Sequence, residues 1–320
     1  MLGNSKTAVI ALGGNAISRE SEDDDIYKQF ANTRKALEPV AELVKRGWRI
    51  ILTHGGGPQI GNMLLRVEES RERVPPIPLG VIVADLQGGM GYMIQQTLQN
   101  KLHRRGIVKK VITVISQVVV EKNDPAILNP SKFVGPGYSE NEVEALCSER
   151  GWQMKQYNEK KWRRVVPSPV PLEVIGRETI ENLLGLDAVV IACGGGGIPV
   201  CRDGDGCLEG VDAVIDKDLS SMLLAKSIGA DALYISTAVD YVYLNFGKQN
   251  QRALKEMSVA QAKKWLADGQ FPAGSMGPKV QAGIDFIESG GTEFVITPTE
   301  KLVEAAEGKA GTRIRADEGD

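Results

Sequence analysis

Histidine and cysteine are scarce in this 320-residue chain, two and four respectively, so little of the usual metal-ligating chemistry is available to it. Cys147, Cys193, Cys201 and Cys207 stand at spacings unlike any zinc or redox pair, and two histidines cannot complete a cluster around them. Reduced thiols in a cytoplasmic protein are the expectation. No apolar run approaches the length of a membrane span. The stretch Ala8 to Leu12, after Lys6 and before Gly13-Gly14, is too short for a signal-peptide core, so neither export by that route nor a helical anchor is expected. Charge of one sign is missing as well: the formal net charge is −3 with both signs mixed along the chain, which leaves no electrostatic footprint for nucleic acid. Small-molecule partners are the expectation. Three signatures are also missing: the GxxxxGK[ST] string, a GxGxxG after the first strand, and the protein-kinase loops.

What is present is a 42% apolar composition, enough to bury a large core in one big α/β domain or two ordinary ones. Short β-branched runs end in glycine clusters: Thr7 to Leu12 before Gly13-Gly14, Arg49 to Thr53 before Gly55 to Gly57, Ala188 to Cys193 before Gly194 to Gly197. Amphipathic stretches alternate with them. Helical spacing predicts helices over 32–46 and 90–102, closed by Gly47 and Gly106, and the pattern is that of parallel strands joined by helices. Further on, helices are predicted over 220–228, 259–268 and 279–289, and strands over 232–237, 241–244 and 292–297. The segment 122–171 breaks the alternation, being dense in proline, charge and tryptophan. Its large apolar residues Trp152, Tyr157 and Trp162 mark it as a small subdomain inserted into one α/β core rather than a linker.

Carboxyl ends of parallel strands converge on one crevice, so three glycine turns at strand ends point to a ligand site there. Glycines let backbone approach an anion, and N–H groups at the following helix start carry partial positive charge. Each pair could equally close a tight turn; three together favour the site. Candidate cations lie in glycine- or proline-bounded contexts: Lys132, Lys217 and Lys279. A lysine is ordinarily a solvated charge, but Lys217 sits between Asp216 and Asp218 just after an apolar run, where a charge triplet is costly unless it faces a ligand or metal. His54, a lone histidine after a strand, reads as a hydrogen-bonded structural residue, and Cys193 as a small apolar packer. The run Glu20 to Asp25 reads as a solvated acidic loop, with a mobile flap as the other reading.

The strings ALGGNA (11–16), THGGGPQIG (53–61), NPSKFVGPGY (129–138), RRVVPSPVP (163–171), ACGGGGIPV (192–200), AVIDKDLSSMLLA (213–225), VYLNFGK (242–248) and FPAGSMGPK (271–279) resemble the carbamate kinases of the amino acid kinase superfamily, in that family's order from about residue 7 to about 315. The resemblance implies a three-layer αβα sandwich on a mainly parallel open sheet with a protruding inserted subdomain, and a homodimer. It also implies reversible phosphoryl transfer between ATP and carbamate giving ADP and carbamoyl phosphate, with the N-terminal half holding the acid and the C-terminal half the nucleotide. On that pattern Gly13, Gly14, Asn15, Gly55, Gly56 and Gly57 line the acid side, Lys132 reaches the transferring group, and Lys217 and Lys279 take the ATP phosphates. Asp218 orients the lysines, with Gly195 and Gly196 at the nucleotide and Mg²⁺ bridging phosphate oxygens. Tyr243 and Met276 are candidate walls of the nucleoside pocket, although such residues beside strand ends are more often plain core.

The chain departs from the family pattern at Gly56, where asparagine is usual, and at Leu86, where serine is usual. Phe133 and Gly137 also differ, in the subdomain. Losing an amide and a hydroxyl from the acid side leaves open a related small carboxylate or ureido acid as acceptor. A catalytically silent sensor of the same fold is the reading from another class.

Overall fold

The computed structural model describes residues 5–17, 25–158 and 160–317, with residues 15 and 16 described by their backbone alone. The acidic run from Glu20 lies outside the described residues as far as position 24.

Eight strands form the central sheet: β1 (Thr7–Leu12), β2 (Arg49–His54), β3 (Val111–Thr113), β4 (Val189–Ile191), β5 (Ala232–Thr237), β6 (Glu256–Ser258), β7 (Glu293–Pro298) and β8 (Thr312–Arg315). Their order is β6-β8-β7-β5-β1-β2-β4-β3. From β7 to β3 every neighbouring pair is parallel. Only β8 reverses against β7, with β6 following it, so the sheet is mainly parallel.

Alternation along the strands divides the core into two layers. Ala8, Ile10 and Leu12 of β1 join Ile50 and Leu52 of β2 on one face, beneath helices 38–45 and 79–104. Val9, Ala11, Ile51 and Val190 point the other way, toward helices 177–185, 217–227 and 276–288. Central strands covered on both faces must be apolar at successive positions, and this is why β1 reads as an unbroken hydrophobic run.

The edge strand β3 is not left bare. Gln99 and Gln95, one turn apart on helix 79–104, accept the N–H groups of Val111 and Thr113 at 3.0 and 2.9 Å. Gln87, two turns earlier, accepts from Ser116 N at 2.7 Å and donates to Ser116 O at 3.0 Å. A row of amides thus replaces a missing strand and blunts the edge. Gly91 lets helix and strand meet, since a Cβ there would lie 2.3 Å from Thr113 Cγ2.

Several boundaries differ from the sequence-based expectation. The single helix over 32–46 is two, Ile26–Ala36 and Glu38–Lys45, because Pro39 lacks the N–H that a continuous helix needs. The helix over 90–102 is the end of a 26-residue helix, Leu79–Arg104, whose glycines conceal its first half. The strand near 241–244 pairs instead with Arg252–Leu254 in a separate hairpin. Segment 132–166 forms a three-stranded antiparallel sheet (Lys132–Tyr138, Gln153–Asn158, Lys161–Val166) carrying helix Glu140–Arg150. Among the described residues no helix is long and apolar enough to cross a membrane.

Candidate active site

At the carboxyl ends of β1, β2, β4 and β5 lies a cleft of about 1100 Å³. This is where an open parallel sheet of this topology places its ligands. Gly13 and Gly14 follow β1, Gly55 to Gly57 follow β2 and open helix 57–70, and Gly195 follows β4; all six line the cleft. Gly13 N donates a short hydrogen bond to Ser236 Oγ near the end of β5, which ties the first turn to that strand.

The charged floor comes from helix 217–227. Asp216 caps it, its Oδ1 accepting from Asp218 N at 2.9 Å, so Lys217 and Asp218 occupy the first turn. The expected helix began at Ser220; the capping aspartate moves the start three residues earlier and turns the charge triplet into a helix N-terminus, where the helix dipole favours anions. Asp218, with only 5% of its side chain exposed, accepts from Lys217 Nζ at 2.5 Å and from Lys279 Nζ at 2.8 Å. Lys279 stands in the first turn of helix 276–288. Lys132, from the first strand of the antiparallel sheet, donates to Asp216 Oδ2 at 2.9 Å. Three ammonium groups drawn from stretches far apart in sequence therefore meet two adjacent carboxylates, leaving one formal positive charge in excess.

Electrostatics follow from that crowding. Burial is the main cause that lowers Lys217, to about 8; Asp218 opposes the shift and Lys279 adds to it. Burial would lower Lys279 too, but the Asp218 carboxylate overrides it and holds the ammonium above its ordinary value. Burial likewise would raise Asp216, and the Lys132 ammonium prevails, keeping that carboxyl well below the usual carboxylate range. His54 is buried beneath the same turns; burial pushes it down to about 4, so the ring is neutral, with Nδ1 against Gly55 O at 3.1 Å.

Lys132, Lys217, Asp218, Lys279, Tyr243 and Met276 all line the cleft. Gly196 does not. It packs underneath, with φ +99° and a Cβ position 2.2 Å from Ile215 O, and its carbonyl accepts from Ser220 Oγ at 2.6 Å. The Asn15 side chain lies outside the described residues. The sequence singled out no role for Asp216, the partner of Lys132, nor for Ser236, Phe246 and Phe271, which also line the cleft. The capping pattern before Lys217 was the available signal for Asp216; Phe246 and Phe271 stood within the family-like strings VYLNFGK and FPAGSMGPK, and Ser236 carried no signal.

An open parallel sheet with glycine turns, a helix N-terminus and buried lysines at its carboxyl edge defines a phosphotransferase of the kind that works without a P-loop. The chain belongs to the amino acid kinase family, whose model matches residues 6–298. Among its relatives, the carbamate kinase of Pyrococcus furiosus is 45% identical over 97% of this chain and 99% of its own length. That of Clostridium perfringens is 42% identical over 96% and 98%. The structure of carbamate kinase from Giardia lamblia bound to AMP-PNP superposes with a TM-score of 0.91 at 38% identity, covering 99% of this chain and all of that one.

Proposed function

We propose that this chain is an ATP-dependent phosphotransferase that runs the carbamate kinase reaction, moving a phosphoryl group reversibly between ATP and carbamate. The observation that carries the reading is the convergence of Lys132, Lys217 and Lys279 on Asp216 and Asp218 inside a glycine-walled cleft. The similarity to carbamate kinases along nearly the whole chain supports the choice of acid.

A phosphoryl group in flight spreads its charge over equatorial oxygens and asks the protein for position and fixed positive charge rather than a nucleophile. In the direction of ATP synthesis, the β-phosphate oxygen of ADP bonds to phosphorus as the bond from phosphorus to the carbamoyl oxygen breaks, releasing carbamate. Lys217 and Lys279 neutralise the nucleotide phosphates at the start of helix 217–227. Lys132 follows the transferring group from the acid side. Asp218 holds its two ammoniums in place, and Asp216 holds Lys132 while capping the helix. Gly13, Gly14 and Gly55 to Gly57 offer backbone to the acid, and Tyr243 and Met276, with Phe246, wall the nucleoside. Both carboxylates on the cleft floor are engaged by lysines, so Mg²⁺ would be carried by the nucleotide rather than by these side chains and would supply further positive charge to the phosphates.

The same reading makes 122–171 an inserted unit that delivers Lys132 to one α/β domain, with its N-terminal half for the acid and its C-terminal half for the nucleotide. It also makes the protein a cytoplasmic homodimer; the exposed Tyr27, Val81 and Tyr92 on helices 26–36 and 79–104 give a second copy apolar surface to cover. The test is ATP formation from ADP, Mg²⁺ and carbamoyl phosphate, read by a luciferase couple. Turnover that disappears in Lys217→Ala supports the assignment. Absence of turnover with the folded protein removes it.

A further inference from the structure

Gly56 and Leu86 belong to different elements and share one volume. Gly56 precedes helix 57–70 and lines the cleft; Leu86 lies on helix 79–104 and is 5% exposed. A Cβ built on Gly56 would lie 2.1 Å from Leu86 Cδ2, with Cγ and Cδ1 at 3.2 and 3.3 Å. The φ of −160° lies outside the left-handed region that favours glycine, and the feature that crowds out a side chain here is the approach of Leu86. The same Cδ2 would stand 3.0 Å from a Cβ on Gly195, which also lines the cleft, with Val83 Cγ1 at 3.5 Å.

The leucine therefore fills the seam between the acid-side and nucleotide-side glycine turns. It is not free to swing its backbone away, because the next residue, Gln87, clamps the helix to Ser116 through two hydrogen bonds. A side chain at 56 requires the buried Leu86 side chain to move, so the two positions are coupled.

We infer that Gly56 and Leu86 form one interlocked element that sets acceptor selectivity. Leu86 takes the place of a side chain at 56 and lies as hydrocarbon directly behind Gly56 and Gly195, which line the cleft. Neither Gly56 nor Leu86 offers the acceptor a polar side-chain group, where an amide and a hydroxyl would. The class of acceptor it suits is a small carboxylate chosen by size rather than by hydrogen bonding. Apolar walls discriminate between near-isosteric ligands by roughly 10–200-fold, whereas a site built to hydrogen-bond one of them reaches about 10⁴-fold or more.

This inference rests on the phosphotransferase reading above and deepens it. The test measures kcat/KM for ATP formation from ADP with carbamoyl phosphate and with acetyl phosphate. Wild type, Gly56→Asn, Leu86→Ser and the double variant are compared, with ADP affinity and thermal melting recorded for each. In wild type the two acyl phosphates are expected to differ by less than about 200-fold. Gly56→Asn alone is expected to lose at least about tenfold with both, and adding Leu86→Ser to recover that loss and raise the carbamoyl-to-acetyl ratio at least about tenfold above wild type.

Should Gly56→Asn fail to fold, Leu86→Ser in the wild-type background still decides. A changed ratio at unchanged ADP affinity supports the inference, and an unchanged ratio overturns it. Equal activity of Gly56→Asn and wild type, a double variant with no recovery, or a wild-type ratio near 10⁴ also overturns it while leaving the phosphotransferase reading intact. No turnover with either acyl phosphate removes both.

Discussion

With Lys217 at the nucleotide phosphates, as proposed, raising the pH from 7 to 10 is expected to weaken ADP binding on the order of 10²-fold, because that cation gives up its proton within the range. Two ammoniums share the Asp218 carboxylate, and Lys217, lowered from 10.5 to about 8 chiefly by burial, is the first to lose its charge. A bound polyphosphate restores the ammonium, so each pH unit above about 8 costs about a factor of ten until the ordinary value is reached. The full shift corresponds to about 3 kcal/mol.

The sign for the free protein is opposite. The unfolded chain keeps this proton up to 10.5 while the folded chain sheds it from about 8, so stability from Lys217 rises with pH through that window. Calorimetric titration of the magnesium complex of ADP at successive pH values reads the affinity directly, since the nucleotide's own phosphates are fully ionised throughout. Lys217→Arg keeps its charge and is expected to flatten the profile, whatever happens to absolute affinity. A wild-type affinity constant within twofold from pH 7 to 10 would refute the placement of Lys217 at the phosphates.

Three further outcomes follow from particular contacts. Lys132→Ala is expected to lower kcat on the order of 10²–10³-fold while leaving ADP affinity nearly unchanged, as steady-state kinetics beside calorimetry will read. Gly196→Ala forces a side chain into Ile215 O at a φ of +99° and is expected to cost about 3 kcal/mol in a denaturant melt. Gly61→Ala places a methyl 2.3 Å from the Gly135 backbone, where helix 57–70 crosses the strand that carries Lys132. Displacing that strand is expected to reduce kcat on the order of 10²-fold with ADP affinity retained, a split that general destabilisation would not produce.

Those contacts also mark where the sequence was legible. Strand-then-glycine units are local, so the turns at Gly13, Gly55 and Gly195 could be read from the chain, and a mainly parallel sheet follows from their alternation with helices. The lysines stood out by context. The family pattern gave Asp218 as the residue that orients them, but not Asp216 as the partner of Lys132, because that pair spans 84 positions and nothing local joins them. The start of helix 217–227 was misplaced although the capping aspartate was visible, since an apolar run ending in Ile215 reads as a strand. The long helix 79–104 lost its first half to glycines at 80, 88, 89 and 91, which signal turns locally; of these Gly91 gives clearance for Thr113. Leu86 was visible as a departure from the family pattern, yet its occupation of the Gly56 volume is a fact of packing between two elements.

A crystal structure with ADP, Mg²⁺ and a non-transferable carbamoyl phosphate analogue tests the central claim most directly. The account predicts the Nζ atoms of Lys217 and Lys279 within about 3.2 Å of nucleotide phosphate oxygens, and Lys132 Nζ at the same distance from the phosphoryl group of the analogue. Phosphates bound away from the start of helix 217–227, with all three lysines still on Asp216 and Asp218, would contradict it.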